Sequence, residues 1–300
     1  MSFGLSIVMP AYDAESWLEP TINKLYEALS VARLLNFEII MINDGSSDDT
    51  LRVAQKIAKE RKEVIVLTQD NQGRFITRKR GVESAKYERI LFVDTRVWLD
   101  KGSLAYLSAQ ISDHPERAVW NGHINVSKKG NIIARFGDAM TIIGWRRYFK
   151  NPRLISYGPV DFDHFPKGTG LFTAPRSTLL AAIEWFEQNT TDIKNSSDDT
   201  LLIRHITEAE KIWLSPEFSA TYFARTTLSA FLKHSYFRGQ FFVDGFLRKG
   251  TRFYYPLLGF LGLSLALVFA CILWPQLLPP LLIFGSILWV VEFFAGILMK

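Results

Sequence analysis

The sequence predicts an α/β domain, built on a mostly parallel sheet with helices on both faces, followed by a transmembrane helical hairpin. Three observations predict it. Short apolar runs alternate with helically periodic segments through the first hundred residues. Asn, Asp and Gly gather just after each apolar run. Beyond residue 250 the only charges are Arg252, Glu292 and Lys300.

The apolar runs are Leu5–Met9, closed by Pro10, then Phe37–Ile42, Val64–Leu67 and Arg89–Val93. Runs this short and continuous fit strands buried on both faces, as in a parallel sheet. Between the first two, Leu18, Ile22, Leu25 and Leu29 fall on one helical face, with Pro20 near the start. Val53, Ile57 and Ala58 repeat that pattern after Ser46–Asp49, which offers an N-cap and an acidic first turn. Tyr12 and Asp13 follow the first strand, Asn43, Asp44 and Gly45 the second, Asp70, Asn71 and Gly73 the third, and Asp94 the fourth. All sit at the carboxyl ends of strands, the edge where open α/β sheets bind ligands. Turn chemistry alone accounts for any one of them.

The C-terminal part holds two runs, Pro256–Trp274 and Leu281–Met299, each close to the ~20 residues that a helix needs to cross a bilayer. Pro275 and the pair Pro279-Pro280 punctuate the turn between them. Arg248, Lys249 and Arg252 before the first run, and Lys300 after the second, put both ends on the cytoplasmic side. Leu228–Lys249 interleaves aromatic and basic residues, which suits a helix lying in the membrane interface. The expected division is therefore 1–227 for the α/β domain, 228–250 for the interfacial segment, and 251–300 for the hairpin, with spans at about 256–274 and 281–299.

Composition excludes several classes. Of the 300 residues 48% are hydrophobic, and the net charge is only +5 with no long basic block, so nucleic acid is not an expected partner. The single cysteine, Cys271, leaves no disulfide framework or zinc cluster. Met1–Pro10 lacks the basic and apolar regions of a signal peptide, so the first domain is expected in the cytoplasm. No G-x-G-x-x-G follows the first strand, and no P-loop occurs, which argues against dinucleotide oxidoreductases and P-loop NTPases.

Four segments, IVMPAYDAE (Ile7–Glu15), INDGSSDDT (Ile42–Thr50), NQGRFITRKRG (Asn71–Gly81) and FVDTR (Phe92–Arg96), resemble the nucleotide-sugar domain of the family 2 glycosyltransferases. The likeness continues through GTGLFTAPRS (Gly168–Ser177) and SDDTLLIRH (Ser197–His205), and covers roughly residues 3–240. Each segment is weak alone, and together, in this order and spacing, they are specific. The resemblance implies the GT-A fold, a nucleoside diphosphate sugar donor, and inversion at the anomeric carbon. It further implies that Pro10 and Tyr12 border the donor base, that Asp44 bonds to it, and that Arg78 meets base or phosphates. Asp94 matches the first carboxylate of a D-x-D motif beside the diphosphate and its metal. Gly168 and Gly170 match an acceptor-side loop. Asp198 and Asp199 match an acidic pair whose second member is the catalytic base, and Arg238 matches a late pyrophosphate-binding cation.

The sequence departs from that pattern at Asp94-Thr95-Arg96, where the second carboxylate is an arginine. Three readings stay open: magnesium or manganese held by Asp94 and phosphate oxygens, Arg96 standing in for the cation, or a chain that has lost catalysis. Arg74, Arg78, Lys79 and Arg80 form a basic cluster, read either as a solvated helix face or as a phosphate neighbour. No Q-x-x-R-W signature of processive synthases appears. The expected function is transfer of one sugar, from a UDP-sugar, to a lipid-linked acceptor in cell-envelope glycan or glycolipid assembly, at the cytoplasmic face of a bacterial inner membrane. The alternatives are polyprenyl-phosphate sugar synthesis and a non-catalytic nucleotide-sugar-binding membrane protein.

Overall fold

The computed structural model describes residues 4–127, 131–194 and 196–285. The chain divides into two compact units, Met1–Ser127 with Arg147–Phe223, and Lys128–Arg146 with Ala224–Lys300.

The first unit opens with β1 (Leu5–Ala11), α1 (Glu15–Val31), β2 (Phe37–Asp44), α2 (Thr50–Glu60), β3 (Val64–Gln69), α3 (Arg74–Ser84) and β4 (Arg89–Val93). The four strands, α1 and α2 are those expected from the apolar pattern; α3 carries the basic cluster instead. After them come β5 (Val97–Leu99), α4 (Ser103–Asp113) and β6 (Val119–Val126). The second unit then takes in α5 (Ile132–Gly144). The chain continues through α6 (Arg146–Phe149), β7 (Ile155–Tyr157), β8 (Leu171–Pro175), α7 (Arg176–Asn189), α8 (Asp198–Ala209) and β9 (Ile212–Tyr222).

The sheet runs β3-β2-β1-β4-β8-β6-β9-β5, with β7 beside β9. The expected parallel arrangement holds for β3, β2, β1 and β4. Beyond β4 the sheet turns mixed, because β8 enters antiparallel to both β4 and β6. Alternate residues of β1 feed two cores. Leu5, Ile7 and Met9 pack with α1, α2 and α4 on one face, and Val8 packs with α3, α7 and α8 on the other. Helices therefore cover both faces, as a parallel sheet requires. Pro10 costs little in β1, because β1 pairs with β4 only as far as Val8.

The order 2-1-4 makes the carboxyl edge between β1 and β4 a topological switch point, where a crevice opens. Gly45, at φ +67°, lets the chain turn there. A Cβ at this position would stand 2.7 Å from the Asn71 backbone nitrogen, so the loop after β3 passes hard against it.

In the second unit, α9 (Leu228–Phe246) precedes α10 (Tyr254–Leu273). Helix α9 covers 228–246 of the expected segment 228–250, and the Thr227 hydroxyl caps it by accepting from Ala230 N at 3.3 Å. Helix α10 is long and apolar enough to cross a membrane, and none of its apolar window is buried within the protein. A short 3₁₀ turn, Pro275–Leu277, follows, and helix resumes from residue 278 to 285. Pro279 and Pro280 thus sit in the first turn of that helix, where missing N–H groups cost nothing. The second expected span, Leu281–Met299, lies outside the described residues from 286 onward.

Candidate active site

The site is assembled from loops at the switch-point edge. Asp44 ends β2 nearly buried. Its Oδ1 accepts from Gln69 Nε2 at 2.8 Å and from Gln72 N at 2.9 Å, and its Oδ2 accepts from Gly73 N at 2.9 Å. The carboxylate therefore ties β2 to the start of α3, where the helix dipole favours a negative charge. Tyr12 stands beside this loop, 54% exposed, with its ring open to solvent. The β1–α1 turn beneath it is locked to the β2–α2 turn. Asp13, at φ +45°, accepts from Ser47 N at 2.8 Å, and Asp13 N donates to Ser46 Oγ at 3.1 Å.

The centre of the site is a buried charge network. Arg78, on α3 and only 5% exposed, donates through Nη2 to Asp94 Oδ1 at 2.9 Å and through Nη1 to Asp198 Oδ2 at 3.0 Å. Arg74 reaches the other Asp198 oxygen at 3.2 Å. Burial pulls the Arg78 guanidinium down, but Asp94, Asp198 and Asp199 more than offset this and hold it above its ordinary value. Burial pushes the Asp198 carboxyl above the usual carboxylate range, against the pull of Arg74 and Arg78. Asp198 and Asp199 open α8, so its N-terminus also favours their charge.

A glycine strap completes the centre. Antiparallel pairing of β8 with β4 sets Val93 opposite Leu171 and draws Asp94 N onto Gly170 O at 3.0 Å. A Cβ at Gly170 would stand 3.3 Å from Asp94 Oδ2, and one at Gly168 would stand 4.0 Å from Asp199 Oδ2. The strap thus passes both carboxylates closely while placing no side chain against either. Asn121 of β6 holds its start by accepting from Gly168 N at 3.1 Å.

Sequence reasoning named Arg78, Asp94, Gly168, Gly170, Asp198 and Asp199, and the structure brings all six together. Arg96 lies apart from this network. The Arg96 guanidinium lies over the Trp17 ring at 4.3 Å and donates to Phe223 O at 3.4 Å. Arg238 lies on α9, and its side chain falls outside the described residues. The basic cluster of α3 splits. Arg74 and Arg78 face Asp198, Lys79 pairs with Glu187 of α7 at 2.6 Å, and Arg80 donates to Thr68 O at 2.7 Å.

Three residues beside the strap went unnoticed in the sequence, because nothing in their spacing marks them. Lys167 donates to Phe162 O at 2.6 Å and lies 4.0 Å from the Phe162 ring centre, and Arg204 pairs with Asp163 at 2.8 Å. Burial pulls the Lys167 amine down to about 7, with Arg204 adding to that shift and Asp163 and Asp199 opposing it.

Among the described residues no group of three His, Cys, Asp or Glu side chains is placed to hold a metal ion. Asp94 offers one carboxylate, 39% exposed and with Arg78 on a single oxygen. That set fits a divalent cation whose other ligands are donor phosphates and water, a common magnesium arrangement.

Comparisons with known proteins give the family and the fold. The sequence model of Glycosyl transferase family 2 matches residues 6–174. A putative glycosyltransferase EpsH of Bacillus subtilis (strain 168) is 28% identical over 117 residues, 39% of this chain and 33% of that protein. Poly-beta-1,6-N-acetyl-D-glucosamine synthase of Staphylococcus aureus (strain COL) is 25% identical over 179 residues, 53% of this chain and 42% of that protein. The chain thus spans less than half the length of these curated relatives. Among solved structures, S. aureus TarS 1–349 in complex with UDP-GlcNAc superposes with a TM-score of 0.55 at 14% identity, covering 76% of this chain and 60% of that one. The mannosyltransferase PcManGT from Pyrobaculum calidifontis, in complex with GDP-Man and Mn2+, gives 0.59 at 12% identity, covering 82% and 63%. These likenesses establish the GT-A fold.

Proposed function

The chain belongs to glycosyl transferase family 2, and from that premise we propose that it transfers a single sugar, with inversion, from a UDP-sugar to a lipid-linked acceptor at a membrane. The observation that carries this reading is the glycine strap. Asp94 and Asp199 lie beside the two glycines of one backbone segment, Gly170 and Gly168, whose missing Cβ atoms suit the approach of a diphosphate at one and an acceptor hydroxyl at the other.

In this mechanism Tyr12 packs against the donor base, and Asp44 holds the loop that borders it. Asp199 Oδ2 takes the proton of the acceptor hydroxyl as its oxygen bonds to the anomeric carbon. The bond from that carbon to the diphosphate breaks, and the nucleoside diphosphate leaves. Arg78 keeps Asp94 in place at the leaving-group side, and Asp198 fixes Arg78 in turn. A divalent cation held by Asp94 and the diphosphate would supply positive charge to the leaving group. The carboxylate at Asp199 favours a hydroxyl acceptor over a lipid phosphate, which needs no base. The UDP preference is supported by TarS, solved with UDP-GlcNAc. The lipid-linked acceptor and membrane setting are supported by α10, and the bacterial envelope by the S. aureus synthase. We extend the same reading to the division into 1–227, 228–250 and 251–300, and to a catalytic domain on the cytoplasmic face.

The test is a panel of nucleotide sugars offered to the purified protein in detergent, read first as thermal stabilisation and then as nucleoside diphosphate release with a lipid extract as acceptor. A UDP-sugar should stabilise the protein and be consumed only when acceptor is present. Binding without consumption under any acceptor would overturn catalysis. Consumption with a bare polyprenyl phosphate would overturn the hydroxyl acceptor.

A further inference from the structure

The second unit carries a charge and surface pattern that the transfer reaction does not use. Residues 128–146 and 224–300 hold eleven of the 35 Lys and Arg residues but only three of the 30 Asp and Glu. Their net charge is +8 against −3 for the rest of the chain, so the modest overall charge hides a strong asymmetry.

Two helices of this unit show apolar side chains on their surface. On α5, Ile132, Met140 and Ile143 fall within an arc of about 80°. On α9, Leu228, Leu232 and Val243 fall within about 60°. These six side chains are 37 to 56% exposed. The helices are joined to each other. Phe136 of α5 meets Phe231 of α9 edge to face at 6.2 Å, and Asn131 Nδ2, at the cap of α5, donates to Thr226 O at 2.5 Å. Arg135 on α5 and Lys233 on α9 are exposed beside the apolar stripes. A soluble surface seldom shows two apolar stripes on adjoining helices. Apolar stripes flanked by cations are what an anionic lipid surface binds.

We propose that α5 and α9 together form a docking face for an anionic lipid bilayer, so that the chain meets the membrane through a segment inserted after β6 as well as through its C-terminal helices. The occupant is lipid rather than a second copy of this chain, because a second copy would set one +8 unit against another, and because the same unit carries α10, none of whose apolar window is buried within the protein. The inference rests on α10 lying in a membrane, and the experiment reads that premise separately.

The full chain, with Cys271→Ser, would carry an environment-sensitive fluorophore at Met140→Cys, or at Arg52→Cys on α2 as the solvent reference. Each would be reconstituted into phosphatidylcholine–phosphatidylglycerol vesicles. Flotation reports on α10. The label at 140 should lose most of its emission to headgroup-level, lipid-borne quenchers and little to aqueous iodide, since interfacial helices lie about 5–10 Å into the boundary. The label at 52 should do the reverse. Omitting phosphatidylglycerol should weaken the lipid quenching at 140 several-fold, and unchanged quenching would remove the anionic part of the proposal. If the protein floats but the label at 140 behaves like that at 52, the docking face is wrong while the anchor stands. If the protein fails to float, the premise falls. Protection of 140 from both quenchers would mark a protein–protein contact and overturn the lipid assignment.

Discussion

Replacing Arg78 with methionine tests whether the buried network organises the site. The guanidinium is 5% exposed and bridges Asp94 at 2.9 Å and Asp198 at 3.0 Å. Methionine fills much of the volume and removes the charge, leaving Asp198, itself 3% exposed, with Arg74 as the cation paired to it and a backbone bond from Asp199. Stranding one member of a buried pair costs about 3–5 kcal/mol. Arg74 is half exposed, and a surface-type contact of that kind recovers about 1 kcal/mol or less. A net loss of about 2–4 kcal/mol corresponds to a fall of about 5–15 °C in unfolding midpoint for a domain of this size. The assay is thermal unfolding in detergent of the wild type, Arg78→Met, Asp198→Asn, and the double variant. Adding Asp198→Asn to Arg78→Met removes the stranded charge, so the double variant should regain much of the loss. Its transfer activity should stay low, because Asp94 has lost its anchor in both. A single-variant shift of only about a degree or two, or strictly additive losses in the double variant, would refute the coupling.

Asp199→Asn should lower turnover by about 10²-fold or more while donor binding, measured by calorimetry, stays nearly unchanged. Asp44→Ala should weaken donor binding and also lower the unfolding midpoint, because its carboxylate accepts two backbone N–H bonds, at Gln72 and Gly73; a binding loss at unchanged stability would point to the base contact alone. Lys167→Met should alter the pH–rate profile. The amine titrates at about 7 when folded and near its ordinary value when unfolded, so the folded chain holds fewer protons between about 7 and 10.5 and gains stability as pH rises through that window. Its positive charge acts on Asp199 only below about pH 7, so wild type and variant should differ there and converge above; identical acid limbs would remove Lys167 from the site's electrostatics. Activity should fall in EDTA and return with manganese, while Arg96→Ala should leave that dependence in place; activity indifferent to EDTA would remove the cation.

The parallel half of the sheet was legible because strands buried on both faces leave continuous apolar runs. Its polar strand ends were legible because Asp44 and Asp94 sit where such strands stop. The mixed half was not, for a physical reason. Strand β6 carries Asn121 and His123, both buried, and β9 carries Ser215 and Ser219, so neither reads as an apolar run. The acidic pair could be found in the sequence, but its division of labour could not. Asp198 is the nearly fully buried partner of two arginines, whereas Asp199 lies partly open beside the strap. The α3 cluster looked uniform in sequence. Only packing against α7, which supplies Glu187, separates Lys79 from the site. Lys167 gave no signal, since its shifted titration comes from burial, with Arg204 adding to it, and neither can be read from sequence spacing.

Arg96 shows how a substitution at a motif position can be absorbed. A carboxylate there would be free to turn toward a cation beside Asp94. The arginine instead lies across Trp17, whose ring is packed on Phe223 at 5.6 Å, and Phe223 packs on Trp98 at 4.1 Å. Phe223 N in turn bonds to Arg96 O at 3.0 Å, so β9's end and the turn after β4 hold each other. A guanidinium on an aromatic face gains about 0.5–2 kcal/mol, which a diphosphate's charge can outweigh. The stacked state therefore keeps a cation two residues from Asp94 without pairing it to Asp94. That single carboxylate is left to Arg78 and to whatever the donor brings. Two outcomes follow from one geometry. If the donor arrives with a metal, Arg96 stays on Trp17, and its removal costs packing more than rate. If it arrives without one, Arg96 must leave Trp17, and the tryptophan's fluorescence should change on donor binding in the wild type but not in Arg96→Ala.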